Sequence, residues 1–283
     1  MKQEWILEAE NLYYKYEENE TPSLNGVNLK IARGEKVAFL GANGSGKSTF
    51  FLCLNGILRP EKGQVRLNGE AVDYSRKGLL SLRKKVGIVF QDPDSQLFFA
   101  DVYQEISFGI LNMGVSEEEA RREVDQIIER FGISSLKDRP THALSGGQKK
   151  MVSIADILVM HPEVVILDEP AAALDAKHVE EVNRAVEDMT KEGITVLMAT
   201  HDIDYAYEWA DRMVLMCGGK VLKEGTPLEV CADREALKKT NLAPPAVLTM
   251  FEALTKGGRL DGTLTPLASM EELKDYILKG DKE

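Results

Sequence analysis

The stretch Gly41-Ala42-Asn43-Gly44-Ser45-Gly46-Lys47-Ser48 constrains the fold more than any other part of the chain. The apolar run Lys36–Leu40 before it reads as a strand, and an apolar helix follows it. Glycines in such a turn let the backbone close around a chain of phosphates. The inward N–H groups and the helix N-terminus then attract the negative charge. In this pattern Lys47 reaches the β- and γ-phosphates, and the Ser48 hydroxyl is a ligand for Mg²⁺. Asn43, Gly44, Ser45, Gly46 and Thr49 complete the expected contact set, with Gly41 opening the turn. A flexible Gly/Ser turn is the plainer reading, and the strand and helix on either side disfavour it. The loop alone leaves kinases, GTPases and ATPases open.

A second segment supplies the acids. Val164–Leu167 is wholly apolar, as expected of a parallel strand buried on both faces. Asp168 and Glu169 follow it, at the sheet edge where ligands of α/β folds bind. Asp168 is placed to hold Mg²⁺, and Glu169 to polarise an attacking water. A solvated pair of acids at a strand end is the ordinary alternative, but a phosphate loop needs such a partner.

Around these motifs the texture alternates between strand and helix. Val27, Leu29 and Ile31 alternate with polar residues, and Val65 and Leu67 lead to the hairpin signal Asn68-Gly69, with Val72 beyond it. Val86–Phe90 is another short strand. From about residue 93 to 160 the pattern is helical. A capping box at Ser116–Glu119 precedes Ala120, Val124, Ile127, Ile128 and Phe131 on one helical face. Val179, Val182, Val186 and Met189 form a further stripe before the strand Ile194–Ala199. The predicted fold class is α/β: a P-loop NTPase, mostly parallel sheet with an antiparallel β subdomain, a helical insertion and a small C-terminal extension. The expected boundaries are 1–225 for the main unit and 226–283 for the extension. In the extension Thr226-Pro227 opens one helix and Ser269 caps a last helix carrying Leu273 and Ile277. That tail is too small to fold alone, so it is expected to pack on the main unit or on a partner.

Leu144-Ser145-Gly146-Gly147-Gln148, before a helix read as Lys149–Met160, is a second anion site of a hydroxyl and helix N–H groups. One chain with two phosphate-binding helix starts suggests a nucleotide shared between two chains.

Composition excludes several classes. The chain has 283 residues, 43% of them apolar, enough for one large core. No apolar run is long enough to span a bilayer, and the start Met1–Leu7 does not read as a signal peptide, so the chain is expected in the cytosol or on a membrane through other proteins. A net charge of −11 disfavours broad contact with nucleic acid. Cys53, Cys217 and Cys231 are too sparse for a metal site and read as small apolar fillers. His142, His161 and His178 read as structural. His201 stands apart, because it follows a predicted core strand.

The order of these motifs resembles the nucleotide-binding domain of ABC transporters over about residues 4–225. The resemblance implies that Gly41–Ser48 match Walker A, Val164–Asp168 Walker B, Glu169 the catalytic base and Leu144–Gln148 the signature. It implies that Gln91 is the Q-loop glutamine, sensing Mg²⁺ and coupling to a membrane subunit. Ala173-Leu174-Asp175 match the D-loop at a dimer interface, and His201 the switch histidine at the γ-phosphate. Tyr16 matches the aromatic that stacks on adenine, although an aromatic there also suits simple packing. ATP and Mg²⁺ are the implied cofactors, and a second ATPase chain and membrane subunits near residues 91–108 the implied partners.

Gln91-Asp-Pro93-Asp-Ser-Gln96-Leu-Phe98, with Ser107-Phe108-Gly109 and the C-terminal extension, resembles the energy-coupling-factor importers that include cobalt-type ATPases. In that group the extension helps hold two ATPases together. The implied cargo is cobalt or another metal ion, with a vitamin as the alternative. Met151, Pro170–Ala173 and Asp156 depart from the usual pattern and bear on dimer contacts. A soluble ABC ATPase for DNA repair or translation is disfavoured, since the cassette is neither split by a coiled coil nor doubled. A degenerate partner that only binds ATP is disfavoured by Glu169 and His201.

Overall fold

The computed structural model describes residues 4–261 and 263–280; the first three residues of the N-terminal segment read above lie outside them. Two sheets organise the chain. The first is antiparallel, built from β1 (Trp5–Tyr14), β2 (Leu24–Ala32), β4 (Lys62–Leu67) and β5 (Glu70–Ala71), in the order β2-β1-β4-β5. Val27 and Ile31 of β2 point into its core, as their alternation predicts. The hairpin at Asn68-Gly69 has both residues at positive φ, 52° and 80°, the geometry of a tight two-residue turn. The central strand β1 was not read from the sequence, because its Glu-Asn-rich middle hides the alternation.

The second sheet has the order β10-β9-β3-β8-β7-β6. Its strands are β3 (Lys36–Leu40), β6 (Val86–Val89), β7 (Val164–Asp168), β8 (Thr195–Ala199), β9 (Arg212–Cys217) and β10 (Lys220–Gly225). The pairs from β9 through β6 are parallel, and β10 closes the edge as an antiparallel hairpin partner of β9. Strands β3, β6, β7 and β8 are almost wholly buried, which explains their unbroken apolar sequences. The β9–β10 pair was also unread, since β10 alternates exposed and half-buried residues around lysines.

Two cores result. One joins the antiparallel sheet and α1 (Lys47–Leu54) to one face of the parallel sheet, with Phe39, Phe50 and Phe51 in mutual contact. The other covers the opposite face and runs through the helical region. α2 (Arg76–Lys85) leads into β6, and α3 (Val102–Leu111), α4 (Glu117–Arg130) and α5 (Gly146–Leu158) form the helical insertion. Ser116 caps α4 as expected, and Ala120, Val124, Ile127 and Ile128 are its buried stripe. α5 begins three residues earlier than the sequence reading, because Ser145 and Gln148 form a capping box around its first turn. α6 (Ala176–Lys191) and α7 (Ile203–Trp209) complete the main unit, with Val182, Val186 and Met189 buried.

The tail packs on the main unit through α8 (Pro227–Ala232), α9 (Arg234–Lys239) and α10 (Ala246–Lys256), then ends in α11 (Met270–Gly280). Thr226 and Glu229 form the capping box of α8, and Val230, Cys231, Leu237, Val247, Leu248 and Phe251 join the second core. Leu273 of α11 is buried, but Ile277, read as its partner, is 38% exposed, beside the exposed Tyr276 and Leu278. Cys53 and Cys231 are buried as expected, and burial pushes both thiols up to about 12. Cys217 corrects the reading of all three as fillers: it is exposed at the end of β9, where the side chain leaves the sheet.

Asp156 faces inward from α5 toward Gln96, whose Nε2 donates to it at 3.3 Å, and toward the buried Glu105. Desolvation is the main cause that pushes its carboxyl up to about 7. Below the ordinary carboxylate value both folded and unfolded chains hold the proton, so the group is neutral in its effect. As pH rises toward 7 the unfolded chain ionises first, and stability is lost across that window. Asp156→Asn is therefore expected to stabilise the fold by about 2 kcal/mol at pH 8 and by almost nothing at pH 4. Urea unfolding at the two pH values measures the difference.

Candidate active site

Parallel register places the C-terminal ends of β3, β8, β7 and β6 side by side, in that order. Each end carries one of the motifs: the phosphate loop after β3, His201 after β8, Asp168 and Glu169 at β7, and Gln91 after β6.

The phosphate loop is held in a shape that only glycine allows at two points. Gly41 has φ +149°, and a Cβ there would lie 2.3 Å from the Met216 carbonyl oxygen; Gly46 has φ +108°, and its Cβ would lie 2.5 Å from that of Ser23. Lys47 is buried, and its ammonium donates to the carbonyls of Gly41 (2.7 Å) and Ala42 (3.3 Å). Burial lowers its pKa, while Glu169 and Asp168 act in the opposite direction. Ser45 Oγ is buried with no hydrogen-bond partner, an orphan donor inside the loop. Asn43, Gly44 and Ser48 are exposed, whereas Thr49 is buried with its Oγ1 3.4 Å from the Tyr16 hydroxyl. That contact, with the edge-on Tyr14 ring, brings Tyr16 to the first turn of α1.

Asp168 is buried at the end of β7, opposite Ala199 of β8. Glu169 takes a left-handed backbone conformation, φ +47°, which costs energy for a residue with a side chain; its N–H is held by the Ala199 carbonyl at 3.0 Å. This turn brings its carboxylate to His201, with Oε1 2.7 Å from Nε2. The pair has the form of a base with an orienting group. Among the described residues no group of three or more His, Cys, Asp or Glu is placed to hold a metal. The donors available here are a hydroxyl (Ser48), an amide (Gln91) and one carboxylate (Asp168). That sparse set suits Mg²⁺, which keeps several waters and relies on substrate phosphates for the rest.

Ser145 and Gly146 are exposed at the start of α5, while the Gln148 side chain turns back to accept from the Ser145 N–H. Gly146 opens onto a cleft of about 460 Å³ with Gln91, Asp94, Lys149, Lys150 and Ala172–Leu174. No residue of the phosphate loop lines it. Asp175 caps α6 and is exposed.

One residue escaped the sequence reading, and the packing partner of another was not anticipated. His178, read as structural, has its ring against Gly147 and its Nδ1 2.8 Å from Asp175 Oδ1. It ties the start of α5 to the turn before α6. Lys150 is almost fully buried and donates to the carbonyls of Phe90 and Gln91, with burial lowering its pKa to about 8. The signal for His178 was its spacing, three residues into a helix capped by Asp175. Lys150 gave none, because a lysine pair after Gln148 reads as a solvated face.

Residues 24–172 match the family model described as ABC transporter. The chain belongs to the ABC transporter ATPase family. An energy-coupling factor transporter ATP-binding protein, EcfA3 of Clostridium perfringens, is 49% identical over 89% of this chain and 88% of its own length. EcfA of Methanocaldococcus jannaschii is 45% identical over 89% of this chain and 90% of that one. Among solved structures, CbiO1 of Clostridium perfringens, part of an ABC transporter complex, superposes with TM-score 0.73 at 49% identity, covering 88% of this chain and 100% of that one. A dimeric cassette in a post-hydrolysis state with ADP and Pi superposes at 0.72 with 27% identity, over 78% of this chain and 99% of that one. This ABC cassette is accordingly an ATP-binding, ATP-hydrolysing transporter component.

The Gly147 contact yields a test. A Cβ on Gly147 would lie 2.1 Å from the His178 ring, so Gly147→Ala must displace one of them. Turnover of ATP by the G147A protein is expected to fall about tenfold, and G147A/H178A to recover at least a third of the loss, since coupled neighbours are not additive. Steady-state phosphate release from the four proteins of the cycle decides it.

Proposed function

We propose that this chain is the ATP-hydrolysing subunit of an energy-coupling factor transporter, working in a pair with a second ATPase chain. Each ATP would sit between the phosphate loop of one chain and Ser145–Gln148 of the other. One observation carries this reading. The exposed start of α5 opens onto a cleft that excludes Lys47 and its loop, so a second chain is needed to present it to the phosphates.

The residues have separable roles. Loop N–H groups and Lys47 bind the β- and γ-phosphates, and Tyr16 stacks on the adenine. Ser48, Asp168 and Gln91 would hold Mg²⁺, and the ion would supply charge neutralisation at the phosphates. Glu169 takes the proton of the attacking water, while His201 orients that carboxylate through the 2.7 Å contact and faces the γ-phosphate. Asp175 and the residues before it meet the partner chain, and the tail from 226 supports that contact through the exposed face of α11.

The coupling surface is the helical insertion near residues 91–108. Phe98 is 78% exposed there, and Phe99, Tyr103, Phe108 and Leu111 line an apolar groove of about 390 Å³. Such a patch suits a membrane subunit. Among the described residues no helix is long and apolar enough to cross a membrane, which supports a peripheral place on its cytoplasmic face, held by those subunits. The cargo is a metal ion such as cobalt, supported by the resemblance of Gln91–Phe98 to cobalt-type ATPases, with a vitamin as the alternative. Membrane subunits co-purified with the chain and assayed for uptake distinguish the two.

The Glu169→Gln protein tests the chemistry. It is expected to bind Mg-ATP and to dimerise tightly on it, while turnover falls about a hundredfold or more. Size-exclusion chromatography and phosphate release measure both, and unchanged turnover would remove Glu169 from the mechanism.

A further inference from the structure

Lys150 lies five residues beyond Ser145, on the same short helix that opens with the second anion site. Its ammonium donates to the Phe90 carbonyl at 2.7 Å and to the Gln91 carbonyl at 2.8 Å. These are the two carbonyls on either side of the Gln91 Cα. Gripping both fixes the direction in which the Gln91 side chain leaves the backbone. The grip is costly to build, because the lysine is 1% exposed and an ammonium without partners would not tolerate that site. Asp168 and Asp92 face it and offset part of the cost.

Further contacts tie the same loop to the same helix, among them the Gln96–Asp156 bond described above. Lys149 pairs with Asp94, and Gln96 donates to the Ser153 carbonyl at 2.9 Å while accepting from the Phe90 N–H at 3.3 Å. Every tie on the α5 side of the loop therefore comes from one face of α5.

We propose that Lys150 is a positioning residue: it pins Gln91 from both sides of its Cα, so that Gln91 and the α5 start move as one body. The position of Gln91 at the Mg²⁺ site would then depend on where α5 stands. This rests on the reading of Gln91 as a Mg²⁺ ligand in an ATPase.

The full-length chain tests it with two arms. In the first, Lys150→Met keeps the length of the side chain and removes the donors. Turnover is expected to fall at least tenfold and the Mg²⁺ concentration for half-maximal turnover to rise about fivefold or more, with nucleotide affinity in EDTA within twofold of wild type. Lys150→Arg, which keeps donors, is expected to recover most of the turnover. A purely structural lysine would change the folded fraction but not the Mg²⁺ dependence of the folded protein. Turnover and Mg²⁺ dependence of K150M both within twofold of wild type overturn the proposal, and leave the ATPase reading standing. A wild-type chain without Mg²⁺-dependent turnover overturns the ATPase reading itself, and this proposal with it.

The second arm keeps Lys150 and does not depend on that variant folding. In a C217S background, D94C/K149C is joined by a short reversible thiol cross-linker. If loop and helix travel together, the cross-linked protein turns over ATP at half or more of the reduced rate. Loss of turnover on cross-linking, restored by reduction, overturns the one-body claim.

Discussion

The parallel register of β3, β8, β7 and β6 is the constraint on which everything else hangs. Parallel strands bonded in this order must end at one edge, and the chain places a different functional group at each end. Burial on both faces requires these strands to be apolar throughout, so polar groups can appear only where each strand stops. That single rule puts Lys47, His201, the Asp168-Glu169 pair and Gln91 along one line although these four places are far apart in sequence.

Around that edge, strain and close approach are concentrated. Glu169 is in a left-handed conformation at the strand end, held by the Ala199 carbonyl and by His201. Gly41 and Gly46 occupy backbone positions where a side chain would strike a carbonyl. The helical insertion meets the edge through α5, where Lys150 reaches into the loop after β6, Gln96 of that loop reaches back to the Ser153 carbonyl, and His178 closes on Gly147. The site is thus a sheet edge with α5 gripping one end of it through the loop after β6.

Much of this was legible in advance for a physical reason. Gly41–Ser48, Val164–Glu169 and Leu144–Gln148 are local motifs, and a turn or a helix cap is decided by residues within a few positions of one another. Most strands with unbroken apolar runs were legible for the same reason, β9 being an exception. β1 and β10 were not, since their faces are mixed and only pairing partners far along the chain make them strands. Lys150 was missed, and the packing of His178 on Gly147 went unread, because what each of them touches lies across the fold. Asp156 was seen as a departure, but its meaning came only from Gln96 and Glu105 opposite it.

By itself, then, the sequence determined the α/β class, the phosphate loop, the acids after the buried strand and the second anion site, because short-range stereochemistry governs each. Only the tertiary structure decided which of these meet. It set Glu169 on His201, turned the start of α5 away from the phosphate loop and buried an ammonium under Gln91. Those contacts join residues between 32 and 60 positions apart, at distances that depend on how sheet and helices pack rather than on any local preference.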